Sequence, residues 1–259
     1  MNIVKRMLLP CLETLFQYHE LGLRVQRAAL HRRMTAELIW ISAVSSEYDS
    51  VGKPNDFLLA LSAKLIGQCR NEDLQLLRER GAPEWIFCWP GEHYKLLAAI
   101  VSLLQPLTIV EIGTNTGLST LAMYSRMPRN ASLWTFDIVP WDQIRECMPG
   151  TRQLLQASDF DGRLHQIVGN LGAEETLHEN SALLRSADFI FVDGPKDGVF
   201  ERTLLKSFEG LGLKDHCLLV LDDIRLWNML DVWRAIERPK LDFTSFGHYA
   251  GTGFVFWER

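Results

Sequence analysis

One stretch constrains the fold of this chain more than any other: Ile109-Val110-Glu111-Ile112-Gly113-Thr114-Asn115-Thr116-Gly117-Leu118-Ser119-Thr120. A β-branched apolar run of this kind forms a buried strand. The glycines allow the chain to turn sharply, and the residues after Gly117 restart as a helix. A strand that enters a helix through a glycine turn is the opening unit of a parallel sheet, because parallel strands need a crossover between them. The same alternation recurs downstream. Apolar runs at Thr108–Ile112, Leu133–Ile138, Phe189–Val192 and Cys217–Leu221 are separated by helical patterns. The expectation is an α/β protein with a doubly wound, mostly parallel sheet covered by helices on both faces. Phe243–Phe246 and Gly253–Trp257 read as a final antiparallel pair.

Upstream the periodicity is helical throughout. Leu12 to about Val44 carries apolar residues at three- and four-residue steps, Ser45–Asn55 reads as a loop, and Phe57–Leu77 reads as a second helix. Gly81-Ala82-Pro83 stops it, since Gly ends a helix and Pro cannot continue one. The expected division is therefore a helical N-terminal extension over 1–83 and an α/β domain over 84–259 that begins with an amphipathic helix at Glu92–Leu104. The apolar faces of Leu12–Leu77 need a cover, which predicts either a lid over the site or a homodimer.

Composition excludes several classes. With 47% hydrophobic and 23% charged residues the chain can bury a core, and a net charge of -5 gives no support to a nucleic-acid partner. The five cysteines are far apart, so neither a disulfide framework nor a zinc ribbon is readable. No apolar window is long enough to span a membrane, and Glu13 and Glu20 interrupt the early apolar run that a signal peptide would need. A cytoplasmic protein without a membrane partner is expected.

Three ligands compete for the glycine turn. A dinucleotide fingerprint needs a second glycine where Asn115 stands, and a phosphate loop needs Lys where Leu118 stands. What remains is Glu111 followed by Gly113 and Gly117. A carboxylate at a strand end repels phosphate but attracts a cation or an amino group, which suits a zwitterionic sulfonium ligand. About twenty residues on, Leu133-Trp134-Thr135-Phe136-Asp137 ends in a carboxylate placed to accept from ribose hydroxyls. In this order and spacing the residues resemble the class I S-adenosylmethionine-dependent methyltransferases, a Rossmann-like fold, over about Pro90 to Arg259. The resemblance implies that Glu111, Gly113, Thr114, Asn115, Gly117 and Ser119 hold the methionine moiety, Asp137 the ribose and Asn170 the adenine, with Asp193 bordering the cofactor.

Two further strands end in carboxylates, Asp193 and Asp222-Asp223, separated by about one βαβ unit of 30 residues. Clustered carboxylates repel unless a cation lies between them, and oxygen-only ligands select a hard ion such as Mg²⁺. His93, His165, His178, His216 and His248 are scattered along the chain and are not expected to compete. Lys196 follows Asp193 in Gly194-Pro195-Lys196-Asp197. A metal beside an ammonium lowers its pKa toward the range of a general base. This arrangement resembles the metal-dependent catechol and caffeoyl-CoA O-methyltransferases at Asp193, Lys196 and Asp222. It departs from them at Asp223, where they have Asn, and an Asp-Asp pair resembles the sugar O-methyltransferases of antibiotic pathways. The likeness implies S-adenosylmethionine as cofactor, a divalent cation on Asp193, Asp222 and Asp223, Lys196 as base, and a small-molecule hydroxyl acceptor with two adjacent oxygens. The alternatives are a non-catalytic cofactor-binding or interaction protein on the same fold, and a metal-independent methyltransferase.

Overall fold

The structure, a computed structural model, describes residues 54–88, 91–144 and 152–258. The helical pattern of Leu12–Val44 and nearly all of the Ser45–Asn55 loop lie outside the described residues. Residues 42–259 form one compact unit. Its elements are helices α1 (Asp56–Cys69), α2 (Gln75–Glu79) and α3 (His93–Leu104), strand β1 (Thr108–Ile112), α4 (Leu118–Tyr124), β2 (Ser132–Asp137), β3 (Leu164–Val168), α5 (Glu174–Glu179) and α6 (Ser181–Ser186). They continue as β4 (Phe189–Val192), α7 (Val199–Leu211), β5 (Cys217–Asp222), α8 (Trp227–Arg234), β6 (Lys240–Asp242) and β7 (Thr252–Trp257). Among the described residues no helix is long and apolar enough to cross a membrane.

The strands form a seven-stranded sheet in the order β3-β2-β1-β4-β5-β7-β6, in which β7 alone runs opposite to the other six. Because the sheet is covered on both faces, β4 and β5 are buried along their whole length. Alternate residues serve opposite cores. Ile109, Phe189, Phe191, Leu218 and Val220 face one core, and Val110, Ile190, Val192, Leu219 and Leu221 face the other. Pairing of Ile112 with Val192, and of Val192 with Leu221, brings the carboxyl ends of β1, β4 and β5 to one edge. Ligands of open α/β sheets bind at such an edge.

Segment 54–83 packs into this domain. Leu58, Leu61, Leu65 and Leu77 join the first core together with Leu96, Leu97 and Ile100 of α3. Arg80 also forms an ion pair with the buried Asp159 through both terminal guanidinium nitrogens. The single helix expected over Phe57–Leu77 is two, because Leu74 turns left-handed (φ 52°) between α1 and α2. The final antiparallel pair exists, but its first strand is Lys240–Asp242 rather than Phe243–Phe246. The Phe243–Phe246 segment closes a turn instead, and its Phe243 ring packs on Phe254 with centroids 5.1 Å apart. Strand β3 escapes a reading by apolar runs because, as an edge strand, it carries His165 and Gln166 and leaves Val168 exposed.

Candidate active site

The turn after β1 is held in one shape from both sides. Gly113 has φ 107°, and a Cβ there would collide with the backbone carbonyl of Asp193. Gly117 has φ 81°, and a Cβ there would lie 2.5 Å from Leu155 Cγ. Asn115 takes the left-handed conformation (φ 41°) and donates its backbone N–H to Asp137 Oδ2 at 3.0 Å. Val139 N–H donates to Asp137 Oδ1 at 3.0 Å, so this carboxylate clasps the turn to the end of β2. Each of its oxygens keeps a second lone pair for a ligand. Beneath the turn, Thr114 Oγ1 and Thr135 Oγ1 are 2.7 Å apart, and Gln166 Nε2 donates to Thr114 Oγ1 at 3.3 Å. Asn170 is exposed, and its Oδ1 accepts from Gly172 N–H at 2.8 Å.

Glu111 is fully buried. Its Oε2 accepts from Thr120 Oγ1 at 2.5 Å, while Oε1 has no hydrogen-bond donor. Burial pushes its carboxyl up to about 7, against the lowering effect of Ser119, Thr120 and Thr135 hydroxyls. A buried carboxylate with one oxygen lacking a donor is poised for a cationic partner.

At the ends of β4 and β5 lies a second cluster. Lys196, held left-handed (φ 62°), reaches Asp193 Oδ1 at 2.7 Å, Asp223 Oδ2 at 3.2 Å and Asp222 Oδ2 at 3.6 Å. Its loop is fixed by the buried Glu201, which accepts from the backbone N–H groups of Lys196 and Gly198, both at 2.9 Å. Burial opposes charge on Lys196, but Asp193, Asp222 and Asp223 outweigh it and raise the pKa above the ordinary lysine range. The ammonium offsets part of the cluster's negative charge.

Asp222 is buried, which raises its carboxyl pKa against the pull of Lys196 and His93. Asp223 is lowered in spite of its burial, by His248 and Lys196 at its two oxygens. Asp222 Oδ1 has no hydrogen-bond donor, whereas Asp223 Oδ1 faces His248 Nδ1 at 3.0 Å.

The structure thus brings Asp193, Lys196, Asp222 and Asp223 together and places Glu111, Gly113, Thr114, Asn115, Gly117, Ser119 and Asp137 on the turn one strand away. It corrects the expectation that the histidines stay apart. His93, the first residue of α3, has Nδ1 3.6 Å from Asp222 Oδ1. His248, in the β6–β7 loop, has Nδ1 3.0 Å from Asp223 Oδ1 and 3.8 Å from Asp222 Oδ1. The two rings are 5.1 Å apart. Two glycines make this possible, because Gly91 (φ 131°) and Gly247 approach so closely that a Cβ on Gly91 would collide with Gly247 O. Glycine immediately before each histidine region was the available signal, at a sequence separation that periodicity cannot bridge.

The strand order and the glycine turn define a class I methyltransferase fold. Residues 110–224 match the family described as "Methyltransferase domain". Among solved structures the chain is similar to the S-adenosylhomocysteine-bound methyltransferase PaMTH1 of Podospora anserina, at 18% identity and TM-score 0.51 over 79% of this chain and 98% of that one. It is also similar to the MycE methyltransferase of the mycinamycin biosynthetic pathway, in complex with Mg, S-adenosylhomocysteine and mycinamycin VI, at 15% identity and TM-score 0.50. That match covers 73% of this chain and 55% of MycE, so the chain spans about half of MycE's length. At these identities the likeness is one of fold. No curated protein matches the chain by sequence.

Proposed function

We propose that the protein transfers a methyl group from S-adenosylmethionine to a hydroxyl of a small molecule bearing two adjacent oxygens, and that a divalent cation assists at Asp193, Asp222 and Asp223. The observation that carries this reading is the adjacency of two unsatisfied sites at one sheet edge. One is the clasped turn with its orphaned Glu111 oxygen, and the other is the carboxylate cluster with the orphaned Asp222 Oδ1. Glu111 receives the ligand's ammonium group, Gly113 and Gly117 let it lie against backbone, Asp137 accepts from the ribose hydroxyls, and Asn170 borders the adenine. The sulfonium supplies an already activated methyl, so the protein's part is to bind, orient and exclude water.

The donor set of the cluster fits a cation, since buried carboxylate oxygens without donors need one. A divalent ion held there supplies positive charge that lowers the pKa of an acceptor hydroxyl and of the neighbouring lysine. Lys196 would take the hydroxyl proton once a bound divalent ion has lowered its pKa and displaced its own proton, and Glu201 fixes the loop that carries it. The resident position is cytoplasmic in this reading, with neither nucleic acid nor membrane as partner. The extension over 1–83 contributes a lid or a homodimer contact through those apolar residues of Leu12–Leu77 that, unlike Leu58, Leu61, Leu65 and Leu77, are not spent on the domain's own core.

Turnover with a panel of catechols, vicinal diols and sugars, read as S-adenosylhomocysteine release, tests the chemistry. EDTA should abolish it and Mg²⁺ or Mn²⁺ restore it. Lys196→Met should retain cofactor binding and lower kcat by roughly 10²–10⁴. Undiminished turnover in EDTA would favour a metal-independent methyltransferase in which Lys196 serves as the permanent counter-charge.

A further inference from the structure

A run of rings leads from the core to solvent beside the carboxylate cluster. The buried His93 has its ring centroid 5.1 Å from that of His248, and His248 lies 5.0 Å from Tyr249 at an interplanar angle of 34°. Both spacings are those of aromatic contact. The inner end of the run sits against the cluster, with His93 Nδ1 3.6 Å from Asp222 Oδ1 and His248 Nδ1 3.0 Å from Asp223 Oδ1. The outer end, Tyr249, is 65% exposed although its ring also meets His248. A tyrosine ring one ring away from Asp223 and open to water presents apolar surface to whatever occupies that end of the sheet.

The loop fixes where this ring stands. Asp223 N–H donates to Gly251 O at 2.7 Å and Arg225 N–H to Ala250 O at 2.9 Å, so Tyr249 is carried on a segment zipped to the end of β5. On its other side His248 N–H donates to Thr252 Oγ1 at 2.8 Å. Glycine flanks the pair because nothing larger fits: a Cβ on Gly247 would strike the Thr252 side chain, and one on Gly251 would strike the backbone nitrogens of Ile224 and Arg225. The polar side chains around the ring are spent within the protein. Arg225 donates from Nε and Nη2 to Asp242 Oδ2, and Thr244 donates through its N–H and its hydroxyl to Asp242 Oδ1. Beyond Lys196, Asp197 Oδ1 accepts from the N–H groups of Val199 and Phe200, and the Val199 side chain is itself 70% exposed.

We propose that Tyr249 is the residue that sets acceptor specificity: its ring is the platform beside which the acceptor's carbon skeleton lies while two adjacent oxygens meet the carboxylate cluster, and it selects a planar aromatic ring over a sugar or a saturated diol. The proposal rests on the reading of the cluster as the methyl-acceptor site and narrows the acceptor. Offset stacking on a tyrosine needs a flat π-face, which a saturated ring lacks. A sugar brings further hydroxyls, and hydroxyls that lose water without gaining a partner cost binding energy.

The test assays the full-length protein with S-adenosylmethionine, Mg²⁺ and the probes catechol, cis-cyclohexane-1,2-diol and methyl glucoside. Each probe is compared with itself across variants, so differences in hydroxyl acidity cancel. Release of S-adenosylhomocysteine gives kcat and KM for a probe that turns over, and competition against catechol gives the affinity of one that does not. Tyr249→Leu keeps an apolar side chain at an exposed position and removes the π-face. It should raise the catechol KM roughly two- to tenfold, the worth of one aromatic pair, and leave the affinity for cyclohexanediol as it was. Tyr249→Phe should recover the catechol loss. Calorimetric affinity for S-adenosylhomocysteine should match wild type in both variants and reports that they are folded. No change in Tyr249→Leu, equal changes for catechol and cyclohexanediol, or turnover of methyl glucoside in preference to catechol would overturn the role of Tyr249 while methyl transfer stands. Failure of every probe to turn over in wild type that binds S-adenosylhomocysteine would overturn the acceptor-site reading and this proposal with it.

Discussion

Glu111 carries the clearest pH signature of any single side chain here. Its folded pKa of about 7 exceeds the ordinary value of 4.5 because burial disfavours the charge. The folded state therefore holds a proton that the unfolded chain has already released. Stability falls as pH rises from 4.5 to 7 and is lower by a constant amount above that, about 2–3 kcal/mol between pH 5 and 8. Urea denaturation of wild type and Glu111→Gln at the two pH values should show the wild type losing that much more than the variant. Equal losses would mean that the carboxylate is not penalised by burial. At this scale the acidic strand ends and the glycines were legible in the sequence, because each sits at the end of a strand that its own apolar run announces. His248 was not, since a loop residue gains its neighbours only through the β6–β7 return and the Gly91–Gly247 contact.

Among elements, the junction of the β1 turn with the end of β4 has the least tolerance. Gly113→Ala combines a left-handed φ of 107° with a collision against Asp193 O, so it must displace either the cofactor turn or the strand end that carries Asp193. The two causes together should cost about 2–5 kcal/mol of stability. Cofactor affinity should fall in the same variant, read by thermal denaturation with and without S-adenosylhomocysteine. A variant as stable as wild type with unchanged affinity would show that the turn is free to move. The central strands could be read from sequence because each is a continuous apolar run buried on both faces. The edge strands could not: β3 is polar where solvent reaches it, and β6 is three residues whose partner, Gly253 opposite Asp242, fixes its register.

For the whole molecule, the N-terminal region is where sequence and fold diverge most. The Gly81-Ala82-Pro83 stop reads as a boundary, yet α1 and α2 share the core of the sheet, and Arg80 clamps the buried Asp159. A local stop signal ends a helix without saying what that helix packs against. On the outward side of α1, Leu59 and Ile66 are 43% and 41% exposed and two turns apart, an apolar stripe consistent with the proposed homodimer. Sedimentation at tens of micromolar, by order of magnitude, should give a dimer. A monomer would leave only the lid. The account as a whole stands on the ligand of the β1 turn, and calorimetric titration with S-adenosylhomocysteine tests it most directly. Binding should be micromolar, about -8 kcal/mol, should weaken by roughly 1–3 kcal/mol in Asp137→Ala, and should have no counterpart with NAD. Preferential binding of NAD, or no binding of S-adenosylhomocysteine by the folded protein, would contradict it.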